Sequence, residues 1–232
     1  MGRQLDLNRM VLIGRTFREY HRMFSLRDFQ DPEEEKILDA GSGVSSFAAE
    51  ANSSGWNVTA SDEIYSMSAD TIEEKCAKDL EEVMKKLEAV KDLYNWEYFK
   101  NIPELKENRA LAYKAFVADY AKEGNKRYIF AQFPKTEFKD KQFTLSLVSH
   151  FLFLYEKQIP YDTHAEIIQE LIRLTSGEIR IFPITNFEGR RSVYLEYLFE
   201  DDRFKGMKFE IKKTGYEFLK GANEILIIRK EG

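Results

Sequence analysis

The segment Ile37-Leu-Asp-Ala-Gly-Ser-Gly43 decides the fold class, because a short apolar strand leads directly into two glycines that are spaced by one residue. A strand followed by such a loop and then by a helix is typical of open α/β sheets, in which ligands bind beyond the carboxyl ends of the strands. Glycine has no Cβ atom, so the loop backbone can approach a ligand closely. The segment therefore predicts the first βα unit of a parallel sheet, with a ligand site at its end.

Strand and helix patterns alternate on both sides of this loop. Strands are predicted at 36–39, 56–61, 127–132, 143–149, 178–184, 208–214 and 224–230, and helices at 45–53, 163–174 and 192–204, with Gly177 closing the second helix. About nine residues join the last two strands, which is too few for a crossover helix, so that pair is predicted to be antiparallel. The fold class is α/β: a doubly wound, mostly parallel, seven-stranded sheet with an antiparallel last strand, which we expect at the edge.

The domain prediction is a single domain over residues 1–232 that carries two additions. One is an N-terminal helix at 15–29, which Asp31-Pro32 ends. The other is a helical insertion at about 69–123, formed by helices at 69–93 and 104–120 that occupy more chain than one crossover helix needs. The insertion is interpreted as a lid or a dimer contact, and the sequence does not decide between these two roles. The oligomeric state is also open.

Composition narrows the class of protein. Lys and Arg number 35 against 40 Asp and Glu, and this net charge of −5 disfavours a general nucleic-acid binder. No run of about 18 apolar residues predicts a membrane span, and residues 1–14 lack a secretory apolar region, so a cytoplasmic protein without a membrane partner is expected. The single cysteine, Cys76, lies on an apolar helical stripe and is predicted to be an inert thiol with a raised pKa.

Asp62 ends the second predicted strand, 21 residues after Gly41. An ionised carboxylate at this place accepts hydrogen bonds from both ribose hydroxyls, although an Asp that merely begins a turn would look the same. The third glycine of a dinucleotide-binding loop is replaced by Ser46, which disfavours the hypothesis that the loop binds a diphosphate. A nucleoside without phosphates is therefore favoured.

With these residues, the sequence resembles the S-adenosylmethionine-dependent methyltransferases of the Rossmann-like class, and specifically an uncharacterised bacterial branch of them. The resemblance covers nearly the whole chain. It is carried by Ile37-Leu-Asp-Ala-Gly-Ser-Gly43 with Ser45-Ser-Phe47, Asp62-Glu-Ile-Tyr65, Ser149-His-Phe-Leu-Phe-Leu-Tyr155, Gly14-Arg-Thr-Phe-Arg-Glu-Tyr20 with Met23-Phe24, Glu178-Ile-Arg-Ile-Phe-Pro183, and Tyr216-Glu-Phe218 with Gly221 and Asn223.

The resemblance implies S-adenosylmethionine as the cofactor and assigns residues to its parts. Gly41 and Gly43 would face the methionine part, and Asp62 would face the ribose. The family's usual Asp after the third strand is replaced by Gln132, whose carbonyl can still accept a hydrogen bond from the adenine amino group. A second departure, Thr144 after Phe143 where the family has Asp, is expected to matter little.

Further candidates surround this site. Asp39 either faces the positively charged sulfonium or fixes the glycine loop. Ser149 and His150 end the fourth strand, and His150 is the predicted general base, with a core histidine as the alternative. Tyr20 and Tyr65 are candidates for lining the cofactor, Tyr65 by stacking near adenine. No ligand spacing indicates a metal, so none is expected.

The sequence predicts a methyltransferase that acts on an unidentified small-molecule acceptor. Three alternatives stay open: a non-catalytic adenosylmethionine-binding protein, a nucleic-acid methyltransferase, and a nicotinamide-dependent oxidoreductase. The second lacks an Asn-Pro-Pro-aromatic motif at 149–155, and Ser46 disfavours the third. Neither the acceptor nor the methylated atom can be named from the residues.

Overall fold

The computed structural model of the protein describes residues 4–5, 7, 9–28 and 34–231. The strands of these residues form one sheet. They are β1 (Lys36–Ala40), β2 (Asn57–Asp62), β3 (Tyr128–Phe130), β4 (Phe143–Ser149), β5 (Thr175–Phe182), β6 (Met207–Lys213) and β7 (Glu224–Lys230). The helices are α1 (Phe17–Met23), α2 (Phe47–Ser53), α3 (Ala69–Glu88), α4 (Ile102–Glu123), α5 (Tyr161–Leu174) and α6 (Tyr194–Glu200).

The strand order is β3-β2-β1-β4-β5-β7-β6. Strands β1 to β5 pair in parallel, and β7 is antiparallel to both of its neighbours, so the predicted mixed sheet is confirmed. The predicted edge position of the antiparallel strand is wrong, because β7 lies inside the sheet and β6 is at the edge. The run Ile225–Ile228 is buried on both faces, as interior strands are, whereas β6 exposes alternate charged residues.

Hydrophobic cores cover both faces of the sheet. On one face, Ile37 and Leu147 pack with α1 to α4, and on the other, Leu38 and Val148 pack with α5 and α6. Neighbouring residues of one strand point to opposite faces, so β1 contributes to both cores within two positions. The chain runs from β1 to β2 on one side of β1, whereas β4 lies on the other side of β1. The topological switch point therefore falls at the carboxyl end of β1.

The N-terminal helix is shorter than the predicted span of 15–29. It begins at Phe17 after a capping box in which Thr16 and Glu19 satisfy each other's backbone N–H groups, and it ends at Met23. A 3₁₀ turn follows at Leu26–Asp28, and the rest of the prediction, including Asp31-Pro32, lies outside the described residues. The predicted helix at 192–204 is likewise divided into α6 and a 3₁₀ turn at Asp202–Phe204.

Gly177 lies inside β5 and does not close the preceding helix, so that prediction is wrong. The strand follows α5 directly, and a Cβ atom on Gly177 would lie 2.3 Å from the carbonyl oxygen of Thr144 on β4. The glycine is therefore required by the close approach of two strands, at the point where the β4–β5 register shifts.

The helices α3 and α4 fill the segment between β2 and β3 where the insertion was predicted. The hydroxyl of Tyr120 on α4 donates to the carbonyl oxygens of Tyr65 and Met67, which joins this helix to the end of β2. Cys76 is buried on α3, as predicted, and desolvation raises its thiol pKa to about 12. Among the described residues, no helix is both long and apolar enough to cross a membrane.

Candidate functional site

The glycine loop after β1 adopts a left-handed backbone at two positions. Gly41 has φ +62° and Gly43 has φ +56°, a region that residues with a Cβ atom rarely occupy. A Cβ atom on Gly41 would lie 2.8 Å from Cδ1 of Phe151, whereas nothing lies within 4 Å of the corresponding position on Gly43. Gly41 therefore serves packing within the protein, and Gly43 leaves open space for a ligand.

This difference predicts unequal costs for two matched substitutions. Gly43→Ala should lower the free energy of unfolding by about 1–2 kcal/mol, the cost of a left-handed residue with a Cβ atom. Gly41→Ala should cost more, because the new methyl group also displaces the Phe151 ring. Urea unfolding of the two variants measures the difference, and equal costs would contradict the contact between Gly41 and Phe151.

Asp62 ties the end of β2 to this loop. One carboxylate oxygen accepts the Gly43 N–H at 2.8 Å, and the other accepts the Ile64 N–H at 3.1 Å. Desolvation raises the pKa of Asp62, and these backbone N–H groups work in the opposite direction. Each oxygen has a second lone pair, so the carboxylate can still accept two hydroxyl groups from a ligand.

Asp39 and Tyr20 lie behind the loop, and neither lines the cavity described below. Asp39 is fully buried and accepts hydrogen bonds from Ser42 Oγ at 2.6 Å and from the Tyr20 hydroxyl at 3.1 Å. Desolvation raises the pKa of Asp39 to about 7, and both hydroxyl donors oppose that rise. Both residues therefore reach a ligand only through the loop that they support.

Tyr65 also supports the loop from behind. Its hydroxyl donates to the Gly43 carbonyl oxygen at 2.8 Å, and its ring packs against Phe116, Tyr120 and Tyr128. The ring does not line the cavity, so the structure does not place it where stacking on a ligand base would require it. The side chains that line the cavity beside Asp62 are instead Glu63 and Ile64, which the sequence analysis did not single out.

Four backbone donors of the loop and of the α2 N-terminus are already used within the protein. The N–H groups of Ser42 and Ser46 donate to the carbonyl oxygens of Ser61 and Arg15, respectively. The N–H group of Phe47 donates to Ser45 Oγ, and that of Gly43 donates to Asp62. Since a diphosphate binds through free N–H groups at this position, the arrangement disfavours a dinucleotide.

One cavity of about 410 Å³ opens at the carboxyl ends of β1, β2 and β4. Its volume lies within the range of small-molecule sites. The wall contains six of the nine predicted site residues: Gly41, Gly43, Asp62, Gln132, Ser149 and His150. Gln132 lies in the cavity wall, two residues after the end of β3 and next to Phe133. Its contact with adenine stays a prediction.

His150 lies in the wall of this cavity, partly buried. Its Nδ1 is 2.9 Å from Ser149 Oγ, and its backbone, at φ +54°, donates from N–H to the Phe182 carbonyl oxygen. Desolvation, together with the positive charges of Arg15 and Arg109, lowers the pKa of His150 well below its usual value. The imidazole is therefore neutral near pH 7, which is the form that can accept a proton.

A buried ionic cluster borders the cavity, and it was not predicted from the sequence. Arg109 of α4 donates to Glu19 of α1 at 2.6 Å, and the Tyr216 hydroxyl donates to the other oxygen of Glu19 at 2.8 Å. Burial opposes ionisation of Glu19, but the charge and hydrogen bonds of Arg109 hold the pKa of Glu19 below its usual range. The available signal was the position of Arg109 on the apolar stripe between Leu105 and Ala112.

No group of three or more His, Cys, Asp or Glu residues suited to a metal ion occurs in the part of the chain that the structure describes.

The protein shares 49% identity over 229 residues with Uncharacterized protein MJ0045 of Methanocaldococcus jannaschii, an alignment that covers 98% of this chain and 100% of that protein. The chain belongs to the family of that protein. MJ0045 is an archaeal protein, so it does not support the predicted bacterial branch. No protein-family model matches the chain.

Solved structures similar to the chain include S-adenosylmethionine-dependent methyltransferases. A TehB-like methyltransferase from Corynebacterium glutamicum is 16% identical with a TM-score of 0.47, over 89% of this chain and 85% of that one. The magnesium protoporphyrin IX methyltransferase of Synechocystis PCC 6803 with bound SAM is 14% identical with a TM-score of 0.45, over 89% and 74%. The PH0226 protein from Pyrococcus horikoshii OT3 is 15% identical with a TM-score of 0.49, over 91% and 89%.

Proposed function

We propose that the protein is an S-adenosylmethionine-dependent methyltransferase with a small-molecule acceptor. The observation that carries the proposal is the junction of Gly43 and Asp62 at the switch point of the sheet. A carboxylate with free lone pairs lies beside a backbone with open space above it, and both face one cavity. This arrangement suits the ribose and the amino-acid part of a nucleoside.

The same loop favours adenosylmethionine over a nicotinamide dinucleotide. The Ser42 and Gly43 N–H groups donate to protein acceptors, and the α2 N-terminus carries the Glu50 carboxylate, which accepts from Ser46 Oγ and the Phe17 N–H. A negative charge at this place repels a diphosphate. The cofactor proposed here has no phosphate, so its binding leaves these bonds in place.

When bound, adenosylmethionine supplies an activated methyl group on a sulfonium sulfur. The protein's part is to align an acceptor with that carbon and to exclude water. The neutral imidazole of His150 is positioned to take the acceptor proton, with Ser149 Oγ orienting its Nδ1 side. We therefore keep His150 as the proposed general base, within a cytoplasmic enzyme that needs no metal.

Calorimetric titration tests the proposal directly. S-adenosylhomocysteine should bind to the pure protein at one site, and reduced nicotinamide dinucleotide should not bind. Incubation with adenosylmethionine and a metabolite extract should then produce S-adenosylhomocysteine, which separates an enzyme from a non-catalytic binding protein. Nicotinamide fluorescence enhancement without adenosylhomocysteine binding would reject the proposal.

Substitution of His150 should separate turnover from cofactor binding. His150→Gln should slow methyl transfer by about 10²–10⁴-fold, the usual contribution of general acid–base catalysis, while leaving adenosylhomocysteine affinity nearly unchanged. Because the pKa of His150 is lowered, wild-type turnover should not fall between pH 8 and pH 6.5 through protonation of this group. Initial rates over that range check the profile, and equal turnover of the variant would remove His150 from the mechanism.

A further inference from the structure

Part of the cavity wall forms an apolar chamber. We use this name for the region lined by Leu12 and Ile13 of the N-terminal segment, Val83, Met84 and Leu87 of α3, and Phe218. Leu87 lies four residues after Val83 and three after Met84, so these side chains share one face of the helix and α3 forms one wall of the chamber. A chamber of this lining selects an apolar molecule.

Arg15 lies between the glycine loop and this chamber. Its carbonyl oxygen accepts from Ser46 N–H at 3.0 Å and from Ser45 Oγ at 2.9 Å, which fixes its backbone beside the loop. Its side chain lines the cavity. It shares the cavity wall with His150, Tyr94 and Tyr155, and its positive charge helps to lower the pKa of His150.

The guanidinium of Arg15 is poorly satisfied. It makes no ion pair with any residue that the structure describes, and its enclosed Nε has no hydrogen-bond partner there. Its hydrogen bond runs from Nη1 to the Ile13 carbonyl oxygen at 2.5 Å. Arginine offers five N–H donors, so most of its capacity remains for a ligand.

The charges around the chamber do not balance. Arg15 and Arg109 are two cations, and Glu19 is the one carboxylate bonded to this pair, through Arg109. The carboxylates among the described lining residues are Asp62 and Glu63, which lie at the end of β2 at the cofactor end. His150 faces the same space, and a neutral imidazole does not offset a cation. Asp79 of α3 accepts from the Leu12 N–H but is paired with Arg9. The lining cations Arg15 and Arg109 therefore carry about one positive charge that Glu19 does not compensate.

We propose that the methyl acceptor is an apolar molecule with a single anionic group, a carboxylate or a group of similar charge, and that Arg15 binds this group. The assignment of this molecule as the acceptor rests on the proposed methyltransferase function. A planar guanidinium pairs with a carboxylate through two parallel hydrogen bonds, which also fixes the orientation of the acceptor toward the loop. The apolar body of the molecule then lies against α3.

Two dyes with the same ring system test the anionic group. 8-Anilinonaphthalene-1-sulfonate carries one negative charge, and N-phenyl-1-naphthylamine is its uncharged counterpart. Arg15→Met should weaken binding of the sulfonate by about tenfold or more, the value of a lost charge-assisted pair, and change binding of the neutral dye by less than about twofold. Fluorescence titration of both dyes measures the two constants.

Two variants control this result. Arg18→Met removes an exposed arginine of α1, three residues after Arg15, which lies over the Tyr98 ring, and should leave binding of both dyes unchanged. Met84→Trp fills the chamber and should abolish binding of both. Arg15→Met should fold, since it removes a partly buried cation without a carboxylate partner, and its melting temperature should equal or exceed that of the wild type.

The cofactor's own carboxylate is the other source of an anion. If Arg15→Met weakens S-adenosylhomocysteine but not 5′-methylthioadenosine, which lacks the amino-acid part, Arg15 holds the cofactor and the proposal for the acceptor is overturned. Equal loss of both dyes, no loss of the sulfonate, or binding that survives Met84→Trp also overturns it. Failure of the wild type to bind adenosylhomocysteine, with the dye discrimination intact, would reject the methyltransferase but keep the anion site.

Discussion

Glu19→Gln should lower the free energy of unfolding by about 3–5 kcal/mol, the usual cost of breaking a buried ion pair from one side. Glutamine preserves the shape of the side chain and can still complete the capping box with Thr16. It removes the charge, however, and leaves the buried Arg109 without a carboxylate beside a second cation, Arg15. Urea or thermal unfolding at pH 7 measures the loss.

The double variant Glu19→Gln with Arg109→Met is the matched control, because it removes the pair as a whole. It should recover part of the stability, and the thermodynamic cycle gives the coupling between the two residues. The pKa of Glu19 is lowered in the folded protein, so its contribution is present above the pKa of the unfolded chain. That contribution disappears as the pH falls through the lowered value. A loss below about 1 kcal/mol at pH 7 would show that the cluster is not a stabilising ion pair.

Asp62→Ala should weaken binding of S-adenosylhomocysteine by about 3 kcal/mol, or roughly a hundredfold. The substitution removes the carboxylate proposed to accept the ribose hydroxyls. It also releases the Gly43 and Ile64 N–H groups, so the loop loses its tether to β2. The loss of binding free energy combines the lost bonds to the ligand with the lost geometry of the loop. It is therefore expected at the upper end of the range for removal of one charged hydrogen-bond partner.

Asp62→Asn separates these two contributions. Its amide oxygen keeps one acceptor for the Gly43 N–H, while its NH₂ group cannot accept from a hydroxyl. Binding by Asp62→Asn should therefore fall between the wild type and Asp62→Ala. Calorimetric titration measures all three proteins, and unchanged affinity in Asp62→Ala would move the nucleoside elsewhere in the cavity.

The parts of the fold that could be predicted were those that one stretch of sequence determines. The strand at 143–149 agrees with β4 at both ends, because its near-continuous apolar run is bounded by polar residues. The bounds of the N-terminal helix were less accurate, although Thr16 and Glu19 carry a readable capping box. Gly177 was misjudged because its conformation is set by Thr144, a residue on another strand.

The site residues that could be predicted were likewise those that one stretch of sequence determines. Gly41, Gly43 and Asp62 belong to a local strand–loop pattern, and the structure brings them together. Tyr20 and Tyr65 were chosen as aromatic residues near the loop, but sequence cannot tell which side of a loop an aromatic ring will occupy. Arg15 has no carboxylate partner because the nearby Glu19 is bonded to Arg109 of α4 and to Tyr216. These residues are far apart in the sequence, so no local pattern could reveal it.

The tether between Gly43 and Asp62 has a consequence for how a ligand would enter. The loop has its final shape before any ligand arrives, since its bonds are made within the protein. Little ordering entropy then remains to be lost at this step, and free and occupied forms should superpose closely around the glycines. Binding should follow single-exponential kinetics, with a rate set by passage through the mouth of the cavity and without a slow isomerisation of the loop.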